Sequence, residues 1–257
     1  MEINLLGPLT VTVDGRGHQC PSRPAASLLA LFALSACESI TSDYLTDELW
    51  PDQILKNARN ALHANLSRVR RFLAQIGLDP ELLQSTAGRY VLNVPRENVD
   101  ALRFRAMVRQ ADGLIETDAA GALSAYETAL RLWFGSSLAD VADLTAIRAE
   151  RARLDELRLG ALESLADAQL RLGYAQHVVT DLRYLVEIHP DRERMSQLLM
   201  VALYRTGQQT EALNVFDRTR ARLLGEFGVD PSHPLRHTQH AILVHDPRLV
   251  MSAPGWG

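Results

Sequence analysis

Residues 165–173, LADAQLRLG, and residues 199–207, LMVALYRTG, line up at an offset of 34 positions. Leu165 matches Leu199, Ala168 matches Ala202, Arg171 matches Arg205 and Gly173 matches Gly207. That spacing is the period of tetratricopeptide arrays, whose helix pairs bury their apolar faces only against neighbouring pairs. The residue types suit such an array: small Ala positions permit close helix contact, and each Gly falls where a first helix must stop. A degenerate third copy precedes them, since Ala122, Leu123 and Tyr126 echo Ala212, Leu213 and Phe216. The alternative is a non-repeating helical bundle with a chance match. Either way, an all-α region is expected from Asp100 onward.

The first hundred residues have a different pattern. Alternation of apolar and polar residues predicts short strands at about 2–6 and 9–13, broken at Gly7-Pro8, and a third after the Asp14-Gly15 turn. A helix opens at Ser22 as N-cap with Pro24 in its first turn, and its apolar run to Ala36 reads as a buried core helix. A second helix starts near Thr41-Ser42, with Asp43 favouring its N-terminal dipole, and ends at Trp50-Pro51. A third runs over about 56–76 and is closed by Gly77. Residues 82–85 and 90–94 read as two strands of a hairpin around Thr86-Ala87-Gly88-Arg89, and Pro95 closes the unit. Leading strands, three helices and a hairpin make a winged helix-turn-helix of the response-regulator type. The predicted fold class is therefore α+β. A winged helix occupies 1–97, an all-α tetratricopeptide-like domain 98–247, and a mobile tail 248–257.

The net charge of −4 argues against bulk attraction to nucleic acid. The charge is unevenly spread, however. Between residues 53 and 96 lie Lys56, Arg59, Arg68, Arg70, Arg71, Arg89 and Arg96, opposed only by Asp79 and Glu81. A patch of this kind is an electrostatic footprint inside an acidic chain. On the third helix, at about 100° per residue, Leu62, Leu66, Val69, Leu73 and Ile76 share one face. Asn60, Ala64, Ser67 and Arg71 face the opposite way, with His63 beside them. Arg pairs with guanine, Asn with adenine, and a small Ala permits close approach to a major groove. Asn60, His63, Ser67 and Arg71 are therefore the expected base-facing residues. Lys56, Arg59, Arg68 and Arg70, with Thr86 and Arg89 on the hairpin tip, are the expected phosphate or wing contacts. The alternative is a merely solvated basic face. Against it, no acid stands between Lys56 and Arg71, so the i,i+4 ion pairs of an ordinary surface helix are missing.

The stretch Ala58–Leu73, together with Asp47-Glu48-Leu49-Trp50-Pro51 and Gly88-Arg89-Tyr90-Val91-Leu92, resembles the DNA-binding domain of the Streptomyces antibiotic regulatory protein family. The second half is similar to the bacterial transcriptional activator domain that accompanies it. The residues that carry this likeness are Leu130–Gly135, His189–Arg194, Ala202–Gln208 and Gly225–Pro231. The resemblance covers about residues 2–245. It implies a small-type, pathway-specific activator of secondary-metabolite genes, without the nucleotide-binding ATPase, forkhead-associated or receiver modules of other regulators. It further implies binding to tandem direct repeats near the −35 region of a promoter, as a homodimer on double-stranded DNA, and contact with RNA polymerase through the sigma factor and other subunits. His63 and Asn65 stand at positions that vary in the family, so the DNA sequence read does not carry over.

Other signals point elsewhere only weakly. His233, His237, His240 and His245 cluster near the C-terminus, where His237 and His240 could share a metal, but a divalent ion wants three or four ligands. Exposed histidines on a capping helix are the other reading, and no metal is expected. Cys20 and Cys37 stand in different elements without a nearby His, and Trp50, Trp133 and Phe216 read as core. No phosphate-cradling glycine loop, nucleophile or carboxylate pair rises above background, so neither an enzyme nor a cofactor is expected. The chain has no run of 18 apolar residues and no basic leader. The expectation is a cytoplasmic protein, nucleoid-associated when bound, with no membrane contact. Two other functions remain open: a tetratricopeptide-like receptor for a peptide or protein, and a repressor using the same DNA contacts.

Overall fold

The computed structural model describes residues 1–51 and 58–249. The chain forms two compact units, one of Met1–Met107 with Thr128–Arg158, the other of Val108–Glu127 with Leu159 onward.

The first unit opens with an antiparallel sheet, β1 (Glu2–Asn4), β2 (Thr10–Val13) and β3 (Arg16–His18), in that order. Asp14 and Gly15 form the tight turn between β2 and β3, both with positive φ. Helix α1 (Arg23–Leu34) follows, and every residue from Ala25 to Ala33 is buried, as its apolar run required. Ser22 holds the N-cap position but its side chain makes no capping bond. Ile40-Thr41 form a short strand, β4, which the sequence pattern did not reveal. Helix α2 (Ser42–Leu49) is capped by Thr41, whose Oγ1 accepts from the Tyr44 amide at 3.3 Å, and it stops at Trp50 before Pro51. Helix α3 (Ala58–Gln75) packs against α1 and α2. Strands β5 (Leu83–Thr86) and β6 (Arg89–Leu92) complete a second antiparallel sheet in the order β4-β6-β5. Its hairpin is tighter than expected. Thr86 and Arg89 are paired strand residues, and only Ala87 and Gly88 turn, at φ 49 and φ 76.

Segments beyond residue 97 are stitched into this same unit. Asp100 starts α4 (Asp100–Leu114), and its buried carboxylate accepts from the amides of Leu5 at 2.7 Å, Leu6 at 3.1 Å and Ala101 at 2.6 Å. After α5 (Ala119–Leu130), the loop returns to the N-terminus. Phe134 N–H donates to Leu6 O at 3.1 Å, Leu138 N–H to Leu5 O at 2.9 Å, and Leu9 N–H to Asp140 at 2.7 Å. Ala142 N–H donates to Ser27 Oγ at 2.8 Å, and Ala146 N–H, at the start of α6 (Thr145–Arg171), to Glu48 at 3.0 Å. Trp133 is buried edge-on to Phe104, with the Arg158 guanidinium 4.6 Å from its ring centre.

In the second unit the 34-residue repeat is geometric. Gly173 ends α6 at φ 84, where Tyr174 N–H donates to Gln169 O at 2.8 Å. The counterpart Gly207 ends α8 (Glu193–Arg205) at φ 77, where Gln208 N–H donates to Leu203 O at 2.8 Å. These are the same left-handed helix terminations, position for position. Helices α7 (Ala175–Ile188) and α9 (Gln209–Arg222) are the second members of the two pairs. Ala168 and Ala202 are fully buried, and the echoing residues Ala122, Tyr126, Ala212 and Phe216 are buried too. A π turn, Leu223–Phe227, leads to α10 (His233–Leu243), which packs on α8 and α9 and covers the end of the array. The fold class is α+β, a winged helix with a tetratricopeptide-like helical region.

Among the described residues no helix is long and apolar enough to cross a membrane. His233 and His237 stack at 6.3 Å on α10, and among the described residues no group of three or more His, Cys, Asp or Glu is placed to hold a metal ion. Cys20 is half-buried and Cys37 exposed, and both are free thiols. Trp133 and Phe216 are core residues, whereas Trp50 is half-buried.

Candidate nucleic-acid interface

The physical origin of the candidate surface is the amphipathic stripe of α3. Leu62, Leu66, Val69, Phe72 and Leu73 are buried, which fixes the rotation of the helix about its axis. That rotation exposes Arg59, Asn60, His63, Ala64, Ser67, Arg68 and Arg71. No carboxylate occurs in the 18 residues of α3, so no acid on the helix itself offsets the positive charge of this face. All four expected base-facing residues, Asn60, His63, Ser67 and Arg71, lie on it. Lys56 lies outside the described residues.

The wing is tied to the helix-turn-helix at several points. Ile40 and Thr41 pair with Tyr90 and Arg89, and Ser42 N–H donates to Gly88 O at 2.9 Å. The tip residues Thr86 and Arg89 face each other across the hairpin and are both exposed. Arg89 Nη1 donates to Ser39 Oγ at 3.3 Å.

Two further expected phosphate contacts, besides Arg89, have partners inside the protein. Arg68 is exposed, but its Nη1 donates to Asn65 Oδ1 at 2.7 Å. Asn65 is itself buried and donates to Ala61 O at 3.0 Å. Arg70 is half-buried, and its Nε and Nη2 both donate to Leu83 O. Sequence reading missed both anchors. A signal existed for Arg70, which falls beside the apolar stripe on the helical wheel. One existed for Asn65 too, which falls at the other edge of that stripe beside Ile76, but its polarity argues for exposure and its burial depends on its bonds to Ala61 and Arg68.

A model of the bacterial transcriptional activator domain matches residues 99–243. The chain is 36% identical over 260 residues to the transcriptional regulator RedD of Streptomyces coelicolor, covering 100% of this chain and 74% of RedD. It is 34% identical to the regulatory protein DnrI of Streptomyces peucetius, covering 99% of this chain and 96% of DnrI. The chain belongs to the Streptomyces antibiotic regulatory protein family. Among solved structures, Mycobacterium tuberculosis EmbR in complex with a low affinity phosphopeptide matches with a TM-score of 0.91 at 28% identity. That match covers 96% of this chain and 65% of EmbR, and EmbR has the same winged helix followed by helices. Family membership makes the chain a member of a family of transcriptional regulators.

Proposed function

We propose that this family member is a sequence-specific DNA-binding activator of a secondary-metabolite gene cluster, with α3 in the major groove and the β5–β6 wing against the backbone. The observation that carries the proposal is the exposed face of α3, polar and basic over 18 residues with no carboxylate. In this reading Asn60, His63, Ser67 and Arg71 touch base edges. Arg59, Arg68, Thr86 and Arg89 hold phosphates, as does Lys56. Two protomers bind a tandem direct repeat near the −35 region as a homodimer on DNA, and the bound pair recruits RNA polymerase through its sigma factor and other subunits. The mechanism is positional and calls for no cofactor and no chemical step, so the protein is not an enzyme. It works in the cytoplasm, on the nucleoid.

The domain assignment follows the same logic, with 1–97 as the DNA-binding domain, 98–247 as the activator domain and 248–257 as a tail. Binding of Arg71→Ala and Arg59→Ala to specific and random duplexes over a salt series tests the roles. Arg71→Ala is expected to lose about 1–3 kcal/mol on the specific site and little on random DNA. Arg59→Ala is expected to weaken both alike and to reduce the slope of log K against log salt by about one unit. Equal losses on both duplexes for both variants would remove the division into base and phosphate contacts.

A further inference from the structure

Arg70 sits at the edge of the buried stripe of α3 and reaches the wing. Its Nε lies 3.1 Å and its Nη2 2.9 Å from the carbonyl oxygen of Leu83. Leu83 opens β5, the outer strand of the β4-β6-β5 sheet, which among the described residues pairs on one side only. Asn93 N–H donates to Leu82 O at 2.8 Å. The next rung, Leu83 opposite Leu92, is therefore a non-hydrogen-bonded pair, and the Leu83 carbonyl turns to the open edge of the sheet. An unpaired carbonyl on a fully buried residue is costly, and the guanidinium satisfies it with two donors. Two donors converging on one acceptor fix the base of the hairpin relative to α3 more tightly than one bond does.

We infer that Arg70 is a positioning residue, a strut between recognition helix and wing, and not a phosphate contact. This rests on the DNA-binding reading above, because the strut sets the distance between the base-facing side of α3 and the wing tip that carries Thr86 and Arg89. An arginine in a run of basic residues would ordinarily be counted with the phosphate contacts. Here both nitrogens that define its fork are spent on the protein, so its charge supports the site through the wing.

Substitution separates the two roles because they call for opposite rescues. A glutamine Nε2 stands as many bonds from Cα as the arginine Nε. Arg70→Gln therefore keeps a neutral donor to Leu83 O while removing the charge, and Arg70→Lys keeps the charge while giving up the fork. The experiment measures salt-dependent binding of the full chain to duplex DNA for the parent, R70Q, R70K, R70A, R89A and R70A/R89A. It is accompanied by hydrogen exchange of residues 83–92 in the free proteins. A strut predicts that R70Q binds within about twofold of the parent with an unchanged salt slope, while R70A loses about tenfold. It also predicts that R89A costs about fivefold in the parent but under about twofold in R70A, because the displaced wing no longer delivers Arg89. Hairpin exchange should be faster in R70A and near the parent rate in R70Q. The inference is overturned if R70K preserves the slope while R70Q and R70A each lower it by about one unit, or if hairpin exchange is the same in all variants. If R70A fails to fold, R70Q against R70K still decides. A parent protein that binds no duplex at low salt removes the DNA-binding reading instead, and the exchange rates then judge the strut by itself.

Discussion

Asp100 offers the sharpest physical test of how the first unit is held together. Its carboxylate is 2% exposed and accepts from three amides, those of Leu5, Leu6 and Ala101. Burial pushes its pKa up to about 6 from 3.8, against the pull of the three amides and Arg103. The folded pKa thus lies above the unfolded one, so the native state binds the proton more tightly. The resulting stabilisation is complete below the unfolded value and is lost as pH rises through about 6. Between pH 5 and pH 7.5 this shift gives a loss on the order of 1 kcal/mol. Asp100→Asn removes the titration and leaves at least one amide of the Leu5-Leu6 segment facing an N–H group, at a cost of about 1–3 kcal/mol. Urea unfolding of parent and D100N at both pH values isolates the effect, since other titrating groups cancel in the difference. The parent's advantage should shrink by an amount on the order of 1 kcal/mol on going to pH 7.5. An advantage that grows with pH would mean that the amides outweigh burial and hold the carboxyl below its ordinary value, which refutes the reasoning.

Two further outcomes follow from the same structure. A fragment ending at residue 97 loses the partners of Leu5, Leu6, Leu9 and Ser27. By circular dichroism it should melt well below a fragment of residues 1–158, and equal melting temperatures would contradict this. Gly173→Ala and Gly207→Ala place a Cβ at the same left-handed terminus in two repeats. Each should cost about 1–2 kcal/mol in chemical denaturation, and a clear inequality between them would show that the two terminations are not equivalent.

Much of this was legible from residue patterns. The stripe Leu62-Leu66-Val69-Leu73 gave both the rotation of α3 and its solvent face, because burial of one side determines the other. The spacing of Gly173 and Gly207 located two helix ends, since left-handed backbone leaves few alternatives to glycine there. What could not be read depended on partners far along the chain. Strand β4 has only two residues and exists because Tyr90 and Arg89 lie beside it. Asp100 reads as the first acid of a helix, yet two of its three amide partners lie 94 and 95 positions away. The interleaving of residues 98–107 and 128–158 with the N-terminal elements has the same cause. Part of it is made by single hydrogen bonds from loop amides, which no periodicity records. Arg70 belongs to this class, since its role depends on a carbonyl that only the register of the hairpin exposes.

Whether the carboxylate-free face of α3 reads DNA is decided by in vitro selection of random duplexes with the purified full chain. A face that reads DNA gives enrichment of a direct repeat whose half-sites lie about 10–10.5 bp apart, and loss of that enrichment when Asn60 and Arg71 are both changed to Ala. Failure to enrich any sequence at low salt, or enrichment that survives the double substitution, would contradict it.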